Sequence, residues 1–263
     1  MSFKEGTLSF DNKKIDYIKF GSGNKKMVII PGVAIKRIKG TGLYASKKYQ
    51  VFWKDFTIYL IDKVRKIPND YSTLDISEDY AKAFKLLDIK DAYVLGISYG
   101  GTISQFLAIN HPELIKKLVL GVSIAYTNNT FEKVINHWLK LATNNKYGEL
   151  VVDMIRKTMS DEYVSRHEKV FPLIERFSNH LKLSRFIELL KASITVFPND
   201  RIRFISCPVL VLGGKQDKVV SPEASIQIAN KLKCPIYMFE EYGHSAYNET
   251  KDFNIRVLEF FNI

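Results

Sequence analysis

The sequence predicts an α/β protein: a mostly parallel, twisted sheet of about eight strands, helices on both faces, and a helical cap inserted after strand 6. Three observations point there. Short apolar runs alternate with segments of helical period from Met27 to Val122, and again from Pro208 to Phe261. Between them, residues 124–205 repeat apolar side chains at three-to-four spacing with no clear strand. Finally, Tyr93-Val94-Leu95-Gly96-Ile97-Ser98-Tyr99-Gly100-Gly101 passes from strand through a sharp turn into a helix, with a serine at the apex.

The elements follow in order. Residues 6–10 and 14–20 alternate apolar and polar around Asp11-Asn12, the pattern of a β-hairpin. Met27 to Ile30 is a short buried strand that stops at Pro31-Gly32. Residues 33–50 read as a polar loop with a short helix before Phe52, and Phe56 to Ile61 as a strand closed by Asp62. Tyr71 to Asp75 is a helix entry, and Ile76, Tyr80, Phe84 and Leu87 form one helical face. Residues 92–97 are a strand and 100–110 a helix, ended by His111-Pro112 because proline disfavours helix in the residue before it. Ile115 to Val122 is the next strand.

Residues 124–205 then carry about four helical stripes: Phe131 to Leu139, Leu150 to Ile155, Val170 to Phe177 and Phe186 to Leu190. Thr130, and Ser160 or Asp161, are the expected N-caps. His137, His167 and His180 in this stretch sit in no recognised metal-ligand pattern and read as surface or packed histidines. The sheet resumes at Pro208 to Leu212, followed by Gly213-Gly214-Lys215-Gln216-Asp217. Ser221-Pro222-Glu223 starts a helix to Lys231, Pro235 to Phe239 is the last strand, and Asp252 to Phe261 is the closing helix. The expected organisation is one core domain, residues 1–123 and 206–263, with a cap (lid) at 124–205.

Composition narrows the function classes. Hydrophobic residues make up 46% of the 263, which supports a sizeable core and argues against disorder. The apolar run from Met27 to Ile35 is broken by Pro31-Gly32 and falls far short of the ~20 residues that cross a bilayer, so no transmembrane segment is expected. Met1 to Gly6 lacks a basic-then-apolar export pattern. Cys207 and Cys234 each precede a proline at the start of an expected strand, have no metal-ligand spacing, and read as small buried residues. A cytoplasmic location is the expectation. The net charge is +11, but the lysines are scattered. The densest cluster, Lys36-Arg37-Lys39 with Lys47-Lys48, lacks interleaved aromatics, so no nucleic-acid partner is expected.

The chemistry centres on Ser98. A serine hydroxyl is a poor nucleophile without a base in hydrogen-bond reach, and that base needs a third group to fix its tautomer. Loops that follow strand C-termini in a parallel sheet gather on one edge. Ser98, Asp217 and His244 each follow such a strand end, so they are expected to meet there. Taken singly, Asp217 reads as a turn former and His244 as a turn or packing residue. Together they point to nucleophilic catalysis.

These residues, in the order Ser, Asp, His, resemble the α/β-hydrolase fold superfamily over nearly the whole chain. Gly96-Ile97-Ser98-Tyr99-Gly100-Gly101, Val28-Ile29-Ile30-Pro31-Gly32, His111-Pro112-Glu113-Leu114, Pro208 to Asp217 and Gly243-His244 carry the likeness. It is strongest to the capped esterase, enol-lactonase and C–C hydrolase branch. The resemblance implies Ser98 as nucleophile, His244 as general base and then acid, and Asp217 as the orienting carboxylate. It also implies an oxyanion hole from the backbone N–H groups of Val33 and Tyr99. The sequence departs from the family in having Pro31-Gly32 where His-Gly is frequent. It also has Asp62-Lys63-Val64-Arg65-Lys66 in place of a glycine-rich turn that borders the pocket in relatives.

The implied activity is a serine hydrolase acting on a small carboxylic ester, lactone or thioester through an acyl-enzyme, with no cofactor and no metal. Alternatives are a C–C bond hydrolase or lyase on the same triad, a non-catalytic small-ligand receptor, and a lipid-surface enzyme whose Lys-rich cap touches an anionic membrane. The expected partner is a small-molecule substrate, and the expected assembly a monomer or homodimer. Trp138, Phe171, Phe186 and Phe197 are candidates to line the pocket under the cap.

Overall fold

The computed structural model describes residues 2–178 and 182–263. His180 lies outside the described residues. The chain begins with β1 (Phe3–Phe10) and β2 (Lys13–Phe20), an antiparallel hairpin in which Phe10 pairs with Lys13. Its two turn residues, Asp11 and Asn12, both have positive φ (45° and 58°). A two-residue turn of that hand matches the twist of the strands, and Asp and Asn tolerate it better than most side chains.

The parallel part comprises β3 (Lys25–Ile30), β4 (Phe56–Val64), β5 (Ala92–Ile97), β6 (Ile115–Gly121), β7 (Val209–Gly214) and β8 (Ile236–Phe239). The described residues form one eight-stranded sheet in the order β1-β2-β4-β3-β5-β6-β7-β8. β2 meets β4 antiparallel and every later pairing is parallel.

Both faces of this sheet are covered, which is why its central strands are nearly continuously apolar. α2 (Thr73–Leu86), α3 (Tyr99–Asn110) and α9 (Pro222–Leu232) lie on one face, where Val28, Val94, Leu118 and Val211 meet Tyr80, Phe84, Ile103 and Ile228. On the other, Ile29, Leu95, Val119 and Leu212 meet Ala45 of α1 (Gly42–Lys48), Ala246 of α10 (Ala246–Glu249), and Phe253, Val257 and Phe261 of α11 (Lys251–Asn262). The period-two alternation of strand side chains assigns neighbours to opposite cores. Each fully buried Val, Leu, Ile or Phe contributes about 1.5–3 kcal/mol.

Helix ends follow local chemistry. Ser72 and Asp75 make a reciprocal capping box at the start of α2. Asn128, rather than Thr130, caps α4 (Asn129–Thr143): its side chain reaches the N–H of Phe131, so the helix begins two residues earlier than the periodicity suggested. Ser160 caps α6 (Asp161–His167) as expected.

The insertion between β6 and β7 contains five α-helices among the described residues: α4, α5 (Tyr147–Thr158), α6, α7 (Phe171–Phe177) and α8 (Ser184–Ser193). The extra one is α6, which lies between the second and third expected stripes and buries none of its residues, so no apolar stripe marked it. A core of its own (Phe131, Trp138, Leu150, Phe186, Leu190) extends onto Val219 and Val220 after β7. His137 is half-exposed, and His167 stacks on Tyr163 while its Nδ1 lies 2.8 Å from the Tyr163 carbonyl.

Two expectations change. β4 does not close at Asp62 but runs to Val64, so Asp62 and Lys63 are buried in the sheet rather than set in a loop. Pairing of Ile15 with Val64 extends the strand, and partners described below satisfy the two charges. Cys207 and Cys234 are free thiols, half-buried rather than fully buried, and burial pushes both up to about 11. No helix among the described residues is long and apolar enough to cross a membrane.

Candidate active site

Ser98 stands at the joint between β5 and α3 with φ 55° and ψ −125°. A side chain at positive φ outside a glycine costs about 1–3 kcal/mol and persists only where surrounding contacts hold it. Those contacts are present. The Ser98 N–H donates to the Gly121 carbonyl (2.8 Å), and its carbonyl accepts from the Gly101 N–H (2.8 Å) and the Ser123 hydroxyl (2.9 Å). The turn is possible only because nothing bulky follows it. A Cβ on Gly100 would sit 2.0 Å from the Ile30 carbonyl oxygen.

Asp217 lies in the turn after β7, where Gln216 N–H donates to the Tyr242 carbonyl (3.0 Å) and ties the turn to the loop after β8. One Asp217 oxygen accepts the N–H groups of Val219 (2.8 Å) and Val220 (3.0 Å). The other lies 2.8 Å from His244 Nδ1. His244 Nε2 lies 2.8 Å from Ser98 Oγ. With Nδ1–H donating to the carboxylate, Nε2 is left to accept from the serine hydroxyl. His244 and Asp217 are both buried. The histidine loop is braced by the insertion, since Ser245 N–H donates to the Thr158 carbonyl at the end of α5 (2.7 Å).

Residues 31–33 pass beside this relay. A Cβ placed on Gly32 would lie 3.0 Å from Ser98 Cβ and 3.4 Å from Ser98 Oγ. Val33 and Tyr99 both border the same cavity as Ser98. Tyr99 is the first residue of α3, so its N–H has no partner within the helix. Among the described residues neither the Val33 nor the Tyr99 N–H donates to a protein acceptor. The Tyr99 ring itself is buried, with its hydroxyl 3.3 Å from Thr73 Oγ1, and burial pushes its titration well up.

The cavity over Ser98 has a volume of about 320 Å³. Phe131, Ile135 and Trp138 of α4 wall it together with Val151, Met154 and Ile155 of α5. Of the four aromatic residues expected there, only Trp138 lines it. Phe171 borders a separate recess of the insertion, Phe186 is wholly buried, and Phe197 packs edge-on against Phe131. Met159, Ser193, Tyr247 and Asn248 also line the cavity. The three-to-four spacing of Val151, Met154 and Ile155 marked an apolar helix face, but not that this face lines the cavity. Tyr247 and Asn248 carried no sequence signal, because only the return of the chain after His244 brings them there. The residues of the loop expected to border the pocket, 62–66, are not among its lining. No group of three or more His, Cys, Asp or Glu suited to a metal ion occurs among the described residues.

A family model of the alpha/beta hydrolase fold matches residues 45–249. The chain belongs to the alpha/beta hydrolase fold family. Within it, the chain is 28% identical over 183 residues to a 2-hydroxy-6-oxononadienedioate/2-hydroxy-6-oxononatrienedioate hydrolase of Klebsiella pneumoniae. That match covers 66% of this chain but only 63% of that protein's length. A protein of the same description from Escherichia coli O139:H28 is 24% identical over 262 residues, covering 94% of this chain and 90% of that one. Among solved structures, MGS-M2, an alpha/beta hydrolase enzyme from a Medee basin deep-sea metagenome library, superposes with a TM-score of 0.84 at 22% identity, over 98% of both chains. The enol-lactonase from Burkholderia xenovorans LB400 gives 0.83 at 17% identity, over 98% of this chain and 100% of that one. At those identities the structural likeness speaks for the shared alpha/beta hydrolase fold.

Proposed function

We propose that this alpha/beta hydrolase is a serine hydrolase of small, uncharged carboxylic esters, lactones or thioesters, acting through an acyl-enzyme. The observation that carries the reading is the unbroken relay Asp217–His244–Ser98, with both links at 2.8 Å and the serine at the floor of a cavity. Ser98 Oγ attacks the substrate carbonyl while His244 Nε2 takes its proton, and Asp217 holds the imidazole in the useful tautomer. The negative charge that develops on the carbonyl oxygen is met by the N–H groups of Val33 and Tyr99. His244 then protonates the leaving group, and water attacks the acyl-serine by the reverse path. Residues 124–205 act as a cap that positions the substrate and excludes bulk water.

The oxyanion assignment has its own test. Val33 contributes its N–H and not its side chain, so Val33→Ala keeps most of the activity. Val33→Pro removes the donor and lowers kcat by ~10²–10³. Equal rates for the two variants overturn the role.

The relatives' names make C–C hydrolysis of a dicarboxylate the competing reading. The cavity lining speaks against it here. Among the described residues that line the cavity there is no Lys, Arg, Asp or Glu. A carboxylate buried without a cation costs several kcal/mol. A neutral acyl group, by contrast, gains from Phe131, Ile135 and Trp138. A volume near 320 Å³ also limits acyl length. In a panel of p-nitrophenyl esters, the butyrate is expected to exceed the hemisuccinate by at least about tenfold in kcat/KM, since each 1.4 kcal/mol is a factor of ten. Short acyl esters are expected to exceed emulsified long-chain lipid, with no activation at the micelle surface. Preference for the hemisuccinate would favour the dicarboxylate reading. Failure to turn over any ester, lactone or thioester, in a folded protein, would favour a receptor.

A further inference from the structure

Lys63 is the most deeply buried cation of the described residues, at 2% exposure, and it stands at the same sheet edge as Ser98. Its ammonium donates to the carbonyl oxygens of Pro31 and Gly32, the latter at 2.7 Å. The Gly32 carbonyl belongs to the same peptide unit as the Val33 N–H. There is no cis peptide bond among the described residues, so that carbonyl and that N–H point in opposite directions. Gly32 and Val33 line the cavity and Lys63 does not. The peptide therefore stands between the ammonium on one side and the site on the other.

We infer that Lys63 is a positioning residue for the oxyanion hole, gripping the Gly32 carbonyl so that the Val33 N–H is aimed at the substrate oxygen. The inference rests on the acyl-transfer reading of the Ser98 site. The effect is twofold. The grip fixes the plane of a peptide that contains glycine and would otherwise be free to rotate. A charge-assisted bond is also roughly twice as strong as a neutral one, and it polarises the peptide so that its N–H becomes a better donor.

The surroundings fit that role. Asp62 precedes Lys63 on β4. One of its oxygens accepts the Lys63 N–H (2.8 Å) and Arg185 Nη2 (2.8 Å), and the other accepts the Ile38 N–H (3.3 Å). Arg185, from α8 of the insertion, also donates to the Val64 carbonyl (3.1 Å) and the Lys63 carbonyl (3.1 Å). The strand end that carries Lys63 is thus clamped from outside. The Asp62 carboxylate is ion-paired with Arg185 and acts on the Lys63 ammonium only through space, so positive charge remains behind the oxyanion donor, where negative charge develops in the transition state. Burial pushes Lys63 down to about 7, against Asp62, which holds it up, and with Arg185, which presses the same way as burial. The sign follows directly. Below that value the ammonium grips the carbonyl with full charge. As pH rises through it, the amine becomes neutral and the grip weakens.

The test is a pH titration from 6 to 9 that follows the Gly32 carbonyl ¹³C and Val33 amide ¹⁵N shifts, with kcat and KM of the best ester measured in parallel. It uses the wild type, Lys63→Met and Lys63→Arg. In the wild type both shifts are expected to titrate with a midpoint near 7. In Lys63→Met that response is lost, kcat falls about tenfold or more at pH 6.5, KM stays within about twofold, and the deficit in kcat narrows toward pH 9. Lys63→Arg keeps its charge at every pH, so it restores kcat and shows no titration of the two shifts. If Lys63→Met does not fold, the Arg variant and the wild type decide the matter alone. A Gly32–Val33 peptide that ignores pH in the wild type, or that titrates unchanged in either variant, overturns the inference. So does a Lys63→Met deficit that lies in KM. A peptide that titrates as expected in a protein that hydrolyses none of the esters would leave the Lys63 grip standing and sink the hydrolase reading instead.

Discussion

Ser98→Ala is expected to lower kcat by roughly 10⁶ and to leave the fold intact. The hydroxyl is the only part of the residue the proposed chemistry uses. The backbone bonds that hold the turn run through the Ser98 N–H and carbonyl, and both survive the substitution. Alanine meets the same steric cost at φ 55° as serine does, so the strain of the turn is unchanged. Steady-state turnover of p-nitrophenyl butyrate, with circular dichroism and Tm as fold controls, measures the effect. A variant that kept more than about a hundredth of the wild-type kcat would place the nucleophile elsewhere.

The second large effect is expected at the other two members of the relay. His244→Ala removes the base and costs nearly as much as loss of the serine, because the members act as a unit. Asp217→Asn keeps size and shape but offers an N–H₂ or a neutral carbonyl to His244 Nδ1. It thereby favours the tautomer whose Nε2 already carries a proton and cannot accept from Ser98. A fall in kcat of up to ~10⁴ is expected, with KM little changed. The Val219 and Val220 N–H groups, which now meet a carboxylate oxygen, can still be served by the amide oxygen. The second Asn position must then face Nδ1 with its N–H₂. Full activity in Asp217→Asn would show that His244 is oriented by something else.

Much of this arrangement was legible in the residues because it depends on local rules. The turn at Ser98 is written in the glycines around it, since only glycine at position 100 lets the Ile30 carbonyl approach. The meeting of Ser98, Asp217 and His244 follows from the geometry of parallel strands, which deliver their C-terminal loops to one edge. The alternation of strand and helix announced a mostly parallel sheet, but not the order that sets β4 between β2 and β3.

What was hidden depends on contacts distant in the chain. Asp62 and Lys63 look like the polar end of a strand, because two adjacent charges argue for solvent. They are buried only because Arg185, more than a hundred residues later, and the carbonyls of Pro31 and Gly32 receive them. Phe171, Phe186 and Phe197 share a helical pattern with Trp138. Which of them faces the cavity is set by how five helices pack, and periodicity within one helix carries no information on that. Tyr247 and Asn248 join the lining because the chain turns back after His244, a path dictated by the bond from Ser245 to Thr158.

The central claim is that Ser98 is an activated nucleophile within this relay. The most direct measurement is to react the native protein with a fluorophosphonate, digest it, and locate the adduct by mass spectrometry. The account predicts one adduct, on Ser98, that is absent in the unfolded protein and strongly slowed in His244→Ala. An adduct on another residue, or no adduct at all in a protein that hydrolyses esters, would contradict it.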